Sequence, residues 1–387
     1  MTSQPILGFF EGHRDLRSPG LYDAARAPFG QATLLPRLAY RSKAFADLED
    51  EAVWTRGWIC VGHHDRIPAA GDLLPHTVGN HGIHVLRRAD GGLAAHFNFA
   101  QHGGCRFVPH QCQTGKKTSC FYTSCGHSRD RDVIAADPDG HDVPEMYMFI
   151  GNNPNKLVPI RVATIGTLVF VNLDAGDDLP DASFAHLATP LRALADGRLQ
   201  RIGRFQAEGA FNWKLLGRMA TDAASVIAPS LMSDDRPTGF ARSVGATGHD
   251  NPIWVAWIFP NLLIRVFDDV VVTSIVQPTG LTETLETCDV FAIAEPTDVD
   301  ARLDGLQERI RRDQGAAASL QKIVAGAGNP SPFIPQAVDD SPTPLESNPL
   351  AWSFQQLLTT RLLARHAYID QPLYGRPGRS LNAGVNA

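Results

Sequence analysis

The sequence predicts an α+β fold in two parts: an all-β first half, and a second half in which an antiparallel sheet holds long helices. Three observations carry this. Short β-rich runs separated by Gly, Asp, Asn and Pro fill residues 58–173. A second series of apolar runs, strand-like in length, fills 251–296. Helical spacing of apolar residues then runs from about Asp298 to Ala325 and returns near the end of the chain. With 387 residues there is enough chain for two cores.

In order along the chain, residues 42–57 (SKAFADLEDEAVWTRG) place Phe45, Leu48, Ala52 and Trp54 near helical spacing, with Gly57 as the stop. WICVGH, GIHVLRR, LAAHFNF and TLVFVNL are the strands of the first half. LATPLRALADGRL reads as a helix, and FQAEGAFNWKLLGRMATDAASVI as a strand running into a long helix. The strands NPIWVAWIF, NLLIRVF, VVVTSIVQP and TCDVFAIAEP follow, then the helix from Asp298. A Pro-rich loop, NPSPFIPQAVDDSPTP, precedes a last helix, LAWSFQQLLTTRLLARH. No internal repeat and no low-complexity block interrupts this order.

Composition narrows the function classes. At 43% hydrophobic and 20% charged the chain reads as soluble and globular, and 34 Gly with 27 Pro point to many turns. A formal net charge of −6, with no long Lys/Arg run, argues against a nucleic-acid or anionic-membrane partner. The longest apolar stretch, Pro252 to Phe267, is too short to span a bilayer and is broken by Pro260 and Asn261, so it reads as buried strands. The first twenty residues hold no continuous apolar segment, so no secretory signal is expected. Six Cys in a chain of this size make no disulfide scaffold, and a cytoplasmic, reduced protein is expected. Four of those six fall between Cys105 and Cys125, a clustering that composition does not explain.

Four stretches carry a family resemblance: RGWICVGHHDRIPAAGD, the hairpin VLRRADGGLAAHFN, PIRVATIGTLVFVNLD, and FNWKLLGR before a helix. In order and spacing they resemble the α-subunits of Rieske non-haem iron oxygenases, nearest to the glycine-betaine and choline type, over about residues 40–370. The resemblance implies an N-terminal segment (1–44) packing with the C-terminal domain and a degenerate Rieske-like β domain (45–165). It further implies a degenerate oxygenase catalytic-type domain (166–387) of the helix-grip, START/Bet v1-like kind, built on an antiparallel sheet.

In the family, two loops present Cys-x-His and Cys-x-x-His to a 2Fe–2S cluster, thiolates on one iron and imidazoles on the other. The matching positions here are Ala100 and His102, then Cys120 and Thr123, with seventeen residues between His102 and Cys120. Loop spacing is kept while one Cys is replaced by Ala and one His by Thr, so no ordinary Rieske cluster is expected. Cys105, His110, Cys112, Cys125 and His127 crowd the same loops. His102, Cys105, Cys120 and Cys125 form a candidate three-thiolate, one-imidazole set suited to structural zinc. Metal-free thiols and a Cys105–Cys125 disulfide are the alternatives. Cys112 reads as a small buried hydrophobe.

Family members follow Asn-Trp-Lys with an Asp-x-x-His-x-x-x-x-His segment and a later helical Asp; two His and that Asp hold mononuclear Fe(II). Here Asn212-Trp213-Lys214 leads to Asp222, Ser225 and Ser230, with the later carboxylate at Asp313. The spacing is kept and both His positions are Ser. Beyond residue 166 the chain offers only His186, His249 and His366, none within a helical turn or two of another. Without ligand partners, Asp222 and Asp313 read as solvated or hydrogen-bonded helix acids.

The resemblance therefore implies a non-catalytic α-like subunit, neither the 2Fe–2S cluster nor mononuclear iron, and zinc as the one candidate metal. Its partner would be an intact Rieske oxygenase α-subunit in a trimer-based hetero-oligomer, served indirectly by a ferredoxin or reductase, with no nucleic acid and no membrane. A stand-alone small-molecule binder using the vestigial cavity is the alternative. An active oxygenase component with altered metal ligation ranks last, because no His is placed to activate Ser225 beside Asp222.

Overall fold

The apolar runs of the first half are too short to bury both faces of a sheet by themselves, so they pair in antiparallel order and stack against a second sheet. The computed structural model describes residues 14–79, 81–97, 133–136, 157–174, 199–219, 239–243, 252–294, 298–325, 343–345 and 349–364. Within these residues the fold is α+β, with two six-stranded antiparallel sheets. The first holds β1 (Ile59–His63), β2 (Leu73–Val78), β3 (His81–Arg87), β4 (Leu93–Phe97), β5 (Pro159–Ile165) and β6 (Leu168–Asn172), in the order β1-β6-β5-β4-β3-β2. The second holds β7 (Gln200–Gly209), β8 (Gly239–Ser243), β9 (Trp254–Ile258), β10 (Leu262–Val266), β11 (Val270–Gly280) and β12 (Glu283–Ala292), in the order β7-β12-β11-β10-β9-β8.

The strand order corrects one expected boundary. A division at 165/166 would cut the β5–β6 hairpin, in which Ile165 pairs with Leu168. Strand β6 lies between β5 and β1, so the first sheet runs through Asn172. The expected helix over LATPLRALADGRL lies, but for Leu199, outside the described residues, as does the run from residue 220 to 238. Strands β2, β5 and β8 were not anticipated. β2 (LLPHTV) carries an internal Pro, which weakens its strand signal, but it sits at a sheet edge, where a missing N–H is tolerated.

Helix α1 (Lys43–Glu49) starts at Ser42, whose hydroxyl accepts from the Phe45 N–H at 3.4 Å, and continues as one π-type turn over Asp50–Trp54. The turn between β2 and β3 closes against that π-type turn. Gly79 has φ of +55°, and a Cβ there would sit 1.9 Å from Asp50 Oδ1, so both backbone and space require glycine. A short helix α2 (Leu216–Met219) follows the 3₁₀ turn Trp213–Leu215. The long α3 (Val299–Ala325) buries Leu306, Ile310, Gln314, Ala317, Gln321 and Val324, one face at helical spacing. The last helix is α4 (Pro349–Leu363).

Phe354 of α4 packs against Trp213, Trp257 and Phe259, with ring centroids 5.6, 5.1 and 5.7 Å away. Gly217 lets α2 approach that ring, since a Cβ would meet it at 2.6 Å. The N-terminal stretch ties to the same helix: Gln355 Nε2 donates to the Ala25 and Thr33 carbonyls at 2.6 and 2.7 Å. No described helix is long and apolar enough to cross a membrane.

The two sheets meet along β1 and β6. Cys60, Leu168 and Phe170 pack on Ala256, Ile258, Leu262, Ile264, Val266, Val271, Ile275 and Phe291 of the second sheet. Burial of each large side chain there stabilises by about 1.5–3 kcal/mol. Hydrophobic contact does not fix register, and Asn261 supplies that. Its Oδ1 accepts from the Cys60 N–H at 3.0 Å and its Nδ2 donates to the Cys60 carbonyl at 2.8 Å, while Gln277 Nε2 donates to the Thr77 carbonyl at 3.1 Å. Asn261→Ala leaves two buried backbone groups of Cys60 without their partner. It is expected to cost about 2–4 kcal/mol in chemical denaturation. An unchanged midpoint would show that the seam does not depend on this amide.

Candidate functional site

Most sequence-predicted site positions lie outside the described residues: Ala100, His102, Cys105, Cys120, Thr123 and Cys125 of the loop pair, and Asp222, Ser225 and Ser230 after the Asn-Trp-Lys motif. Asp313 is described. It stands near the middle of α3, beside the face that packs on the second sheet.

Strand alternation decides what Asp313 meets, because successive side chains point to opposite faces. Leu263 faces Ser274 across the β10–β11 pair, and Ser274 faces Cys288 across β11–β12, while Val276 faces Glu286. Arg265, Ser274, Glu286 and Cys288 therefore share the face covered by α3. There the Arg265 Nη1 donates to Glu286 Oε1 and to Ser274 Oγ, both at 2.9 Å. Its Nη2 lies 3.5 Å from Asp313 Oδ2, an ion pair without hydrogen-bond geometry. Gln314 Nε2 reaches Glu286 Oε2 at 3.3 Å, and Cys288 Sγ lies 3.3 Å from Ser274 Oγ. The Arg265 and Glu286 side chains are 2% and 0% exposed, and that of Asp313 17%, so water screens this cluster little. Burial pulls the Arg265 guanidinium down, but Glu286 and Asp313 outweigh it and hold it above its ordinary value. Burial and the carboxylate of Glu286 push the Cys288 thiol well up, which leaves it an un-ionised hydrogen-bonding group.

A second buried pair anchors the Asn-Trp-Lys motif. Lys214 Nζ lies 2.9 Å from Glu49 Oε1, enclosed by the rings of Tyr40, Phe45 and Trp213. Burial pushes the lysine down and the glutamate up, and each opposes the other's shift. Asn212 is fixed on both sides: its N–H donates to Gln321 Oε1 of α3 at 2.9 Å, and its Nδ2 to the Leu281 carbonyl at 2.7 Å. Gln321 Nε2 in turn donates to the Tyr40 carbonyl at 3.2 Å. The motif thus locks α1, α2 and α3 together at the start of the segment that carries Asp222.

The opposite face of the second sheet carries the polar part of the seam. His63 sits between Thr167 and Thr273, with ring nitrogens 2.9 and 3.0 Å from their hydroxyls, and Asp289 lies 4.0 Å away. Asp289 faces Arg201 at 2.9 Å and Arg204 at 3.9 Å, and Arg201 also pairs with Asp65 at 2.8 Å. Burial, with the neighbouring Arg201, Arg66, His64 and Arg204, holds His63 well below the ordinary histidine range. Burial and Arg204 bring the Arg66 guanidinium down to about 10.

No protein-family model matches the chain. Sequence similarity is to a carnitine monooxygenase oxygenase subunit of Acinetobacter pittii (strain PHEA-2), 25% identical over 190 residues, 48% of this chain and 49% of that one. The biphenyl 2,3-dioxygenase subunit alpha of Rhodococcus jostii (strain RHA1) is 29% identical over 149 residues, 38% of this chain and 30% of its own length. The matches thus span about half, or less, of these relatives. Among solved structures, a quaternary ammonium Rieske monooxygenase shares the fold with a TM-score of 0.57 at 18% identity, covering 85% of this chain and 95% of that one. Naphthalene 1,2-dioxygenase with indole bound gives a TM-score of 0.57 at 14% identity, covering 91% and 95%. The chain shares the fold of these Rieske oxygenase α-subunits and is similar to them in sequence over part of its length.

The cluster around Arg265 lies between the second sheet and α3. Sequence reasoning named Asp313 there and missed Arg265, Ser274, Glu286, Cys288 and Gln314. One signal was present: Arg265 is the lone charge in the apolar run NLLIRVF, and a charge inside a buried strand requires a partner. The run alone does not say which acid supplies it.

His63 generates a pH prediction. In the folded chain it stays neutral, while unfolded it takes up a proton below its ordinary pKa of 6.5. Stability is therefore fully present above that pH and falls below it, by about 1.4 kcal/mol one unit lower. Asp289, which burial holds above the ordinary carboxyl range, acts in the opposite sense at lower pH, so the control keeps it in place. Between pH 7.5 and 5.5 the native chain is expected to lose more thermal stability than His63→Asn; equal losses would remove His63 as the cause.

Proposed function

We propose that the chain is a non-catalytic α-like subunit of a Rieske-type oxygenase, a structural or regulatory partner of an α-subunit that keeps its metal ligands. The observation that carries this reading is the identity of four residues at motif positions: Ala100 and Thr123 in the loop pair, Ser225 and Ser230 after the Asn-Trp-Lys motif. A Rieske cluster takes two thiolates and two imidazoles, and an alanine methyl offers no donor. The iron site takes two imidazoles and a carboxylate, for which serine hydroxyls are poor substitutes. The Arg265–Asp313 contact supports the same reading, since a fixed guanidinium 3.5 Å from the carboxylate repels a divalent ion. Neither group fits these residues, and no chemical step is assigned to either. Zinc on His102, Cys105, Cys120 and Cys125 is the metal the cysteine cluster favours. The partner proposed is an intact Rieske α-subunit in a trimer-based hetero-oligomer, with ferredoxin or reductase serving that partner. A full two-sheet scaffold with a fixed seam, carried by a chain poor in ligands, is what an assembly role requires.

The test is co-expression with a Rieske α-subunit that has all its ligands. Turnover, iron and zinc content are measured for each protein alone and for the pair. Alone, this chain is expected to be colourless, to lack iron and to give no oxygenation with a reductase. Together, it is expected to change the partner's stability or activity without adding iron. Rieske-type visible absorption, or turnover by this chain alone, would overturn the reading. An unaffected partner would move the assignment to a stand-alone binder.

A further inference from the structure

We propose that Arg265 is the resident cation of the carboxylate pocket between the second sheet and α3, standing where a divalent metal would otherwise be held and closing that pocket to metal. The inference deepens the non-catalytic reading and rests on it for the correspondence of Asp313 with a metal-ligand position. The rest of the case is geometric. Glu286 on β12 and Asp313 on α3 come from different elements, yet both face the same guanidinium, at 2.9 and 3.5 Å. Two carboxylates from facing elements, with the Ser274 hydroxyl beside them, converge on one point, and among the described residues no group of three or more His, Cys, Asp and Glu is placed to hold a metal. That point is filled by a planar cation from β10.

The filling is specific in its contacts. Arg265 Nη1 is fully used by Glu286 and Ser274, and Gln314 holds the second Glu286 oxygen at 3.3 Å, so the fork is held from two sides. Only Nη2 is left to oppose Asp313. A lysine at this place would offer a compact ammonium in place of a fork and could not span both acids in one plane. The charge is tethered, so it costs no affinity from solution and cannot be removed by a chelator. A metal entering beside it would have to displace a buried, hydrogen-bonded guanidinium or endure repulsion from it at close range.

Titration of the purified full-length chain with Co(II), under anaerobic conditions, tests this. The native chain is expected to show no Co(II) binding that depends on Asp313, so native and Asp313→Asn should give the same titration. Arg265→Met removes the charge and leaves Glu286 and Asp313 facing an apolar side chain. It should lose thermal stability, recover part of it on adding Co(II), and bind Co(II) in an Asp313-dependent manner at least about tenfold tighter than the native chain does. Adding Asp313→Asn to Arg265→Met should abolish the recovery. Asp313-dependent Co(II) binding by the native chain would overturn the proposal, and needs no variant to fold. So would a folded Arg265→Met indifferent to Co(II), which would make Arg265 an ordinary ion-pair partner. Either failure leaves the subunit reading standing, because that reading is decided by turnover and partner effects. Turnover by this chain alone, with Asp313 still closed to Co(II), would overturn the subunit reading and leave the geometry of the pocket intact.

Discussion

A guanidinium shut between a sheet and a helix dictates the charges around it. Arg265 is 2% exposed, and leaving such a cation unopposed would cost several kcal/mol, so acids must come to it from whatever elements pack there. Glu286 comes from two strands away and Asp313 from α3, and the contact fixes how that helix lies on the sheet. Apolar residues on either side of the cluster, Phe267, Val272, Leu306 and Ile310 among them, supply the burial that makes the pairing strong. The carboxylate on α3 is thereby engaged in holding the fold.

The same strands separate two tasks by alternation. One face of the second sheet receives α3 and the charged cluster, and the other receives β1 and β6 through an apolar seam. Neighbouring residues such as Ser274 and Thr273, or Cys288 and Asp289, thus belong to different chemistries: the first of each pair meets Arg265's surroundings, the second meets His63's. The seam is fixed by polar groups inside an apolar contact, which is why one amide, Asn261, matters more than its size suggests. Lys214 with Glu49 plays the corresponding part where the Asn-Trp-Lys motif meets α1.

Much of the architecture was legible because period-2 and period-3.6 patterns are strong in this chain. The run from Pro252 to Phe267 read as buried strands and is β9 and β10 with nearly every side chain buried, and the helix expected from Asp298 to Ala325 runs from Val299 to Ala325. The edge strands β2 and β8 carried weaker patterns, and the division at 165/166, taken from the family resemblance, split a hairpin that the β-rich run over 58–173 keeps whole. At the site, a motif located Asp313, since helical spacing is local. Its partner was not legible, because Arg265 is 48 positions away along the chain and only the strand register brings the two together. Long-range charge pairs of this kind are invisible to periodicity.

The measurement that bears most directly on the role of Asp313 is a double-mutant cycle with Arg265→Met, Asp313→Asn and the pair combined, read as unfolding free energy. A carboxylate committed to the buried guanidinium predicts a coupling energy of about 1–3 kcal/mol, with the double variant less destabilised than the sum of the singles. Coupling within about 0.5 kcal/mol of zero would contradict it and return Asp313 to the status of an independent helix acid.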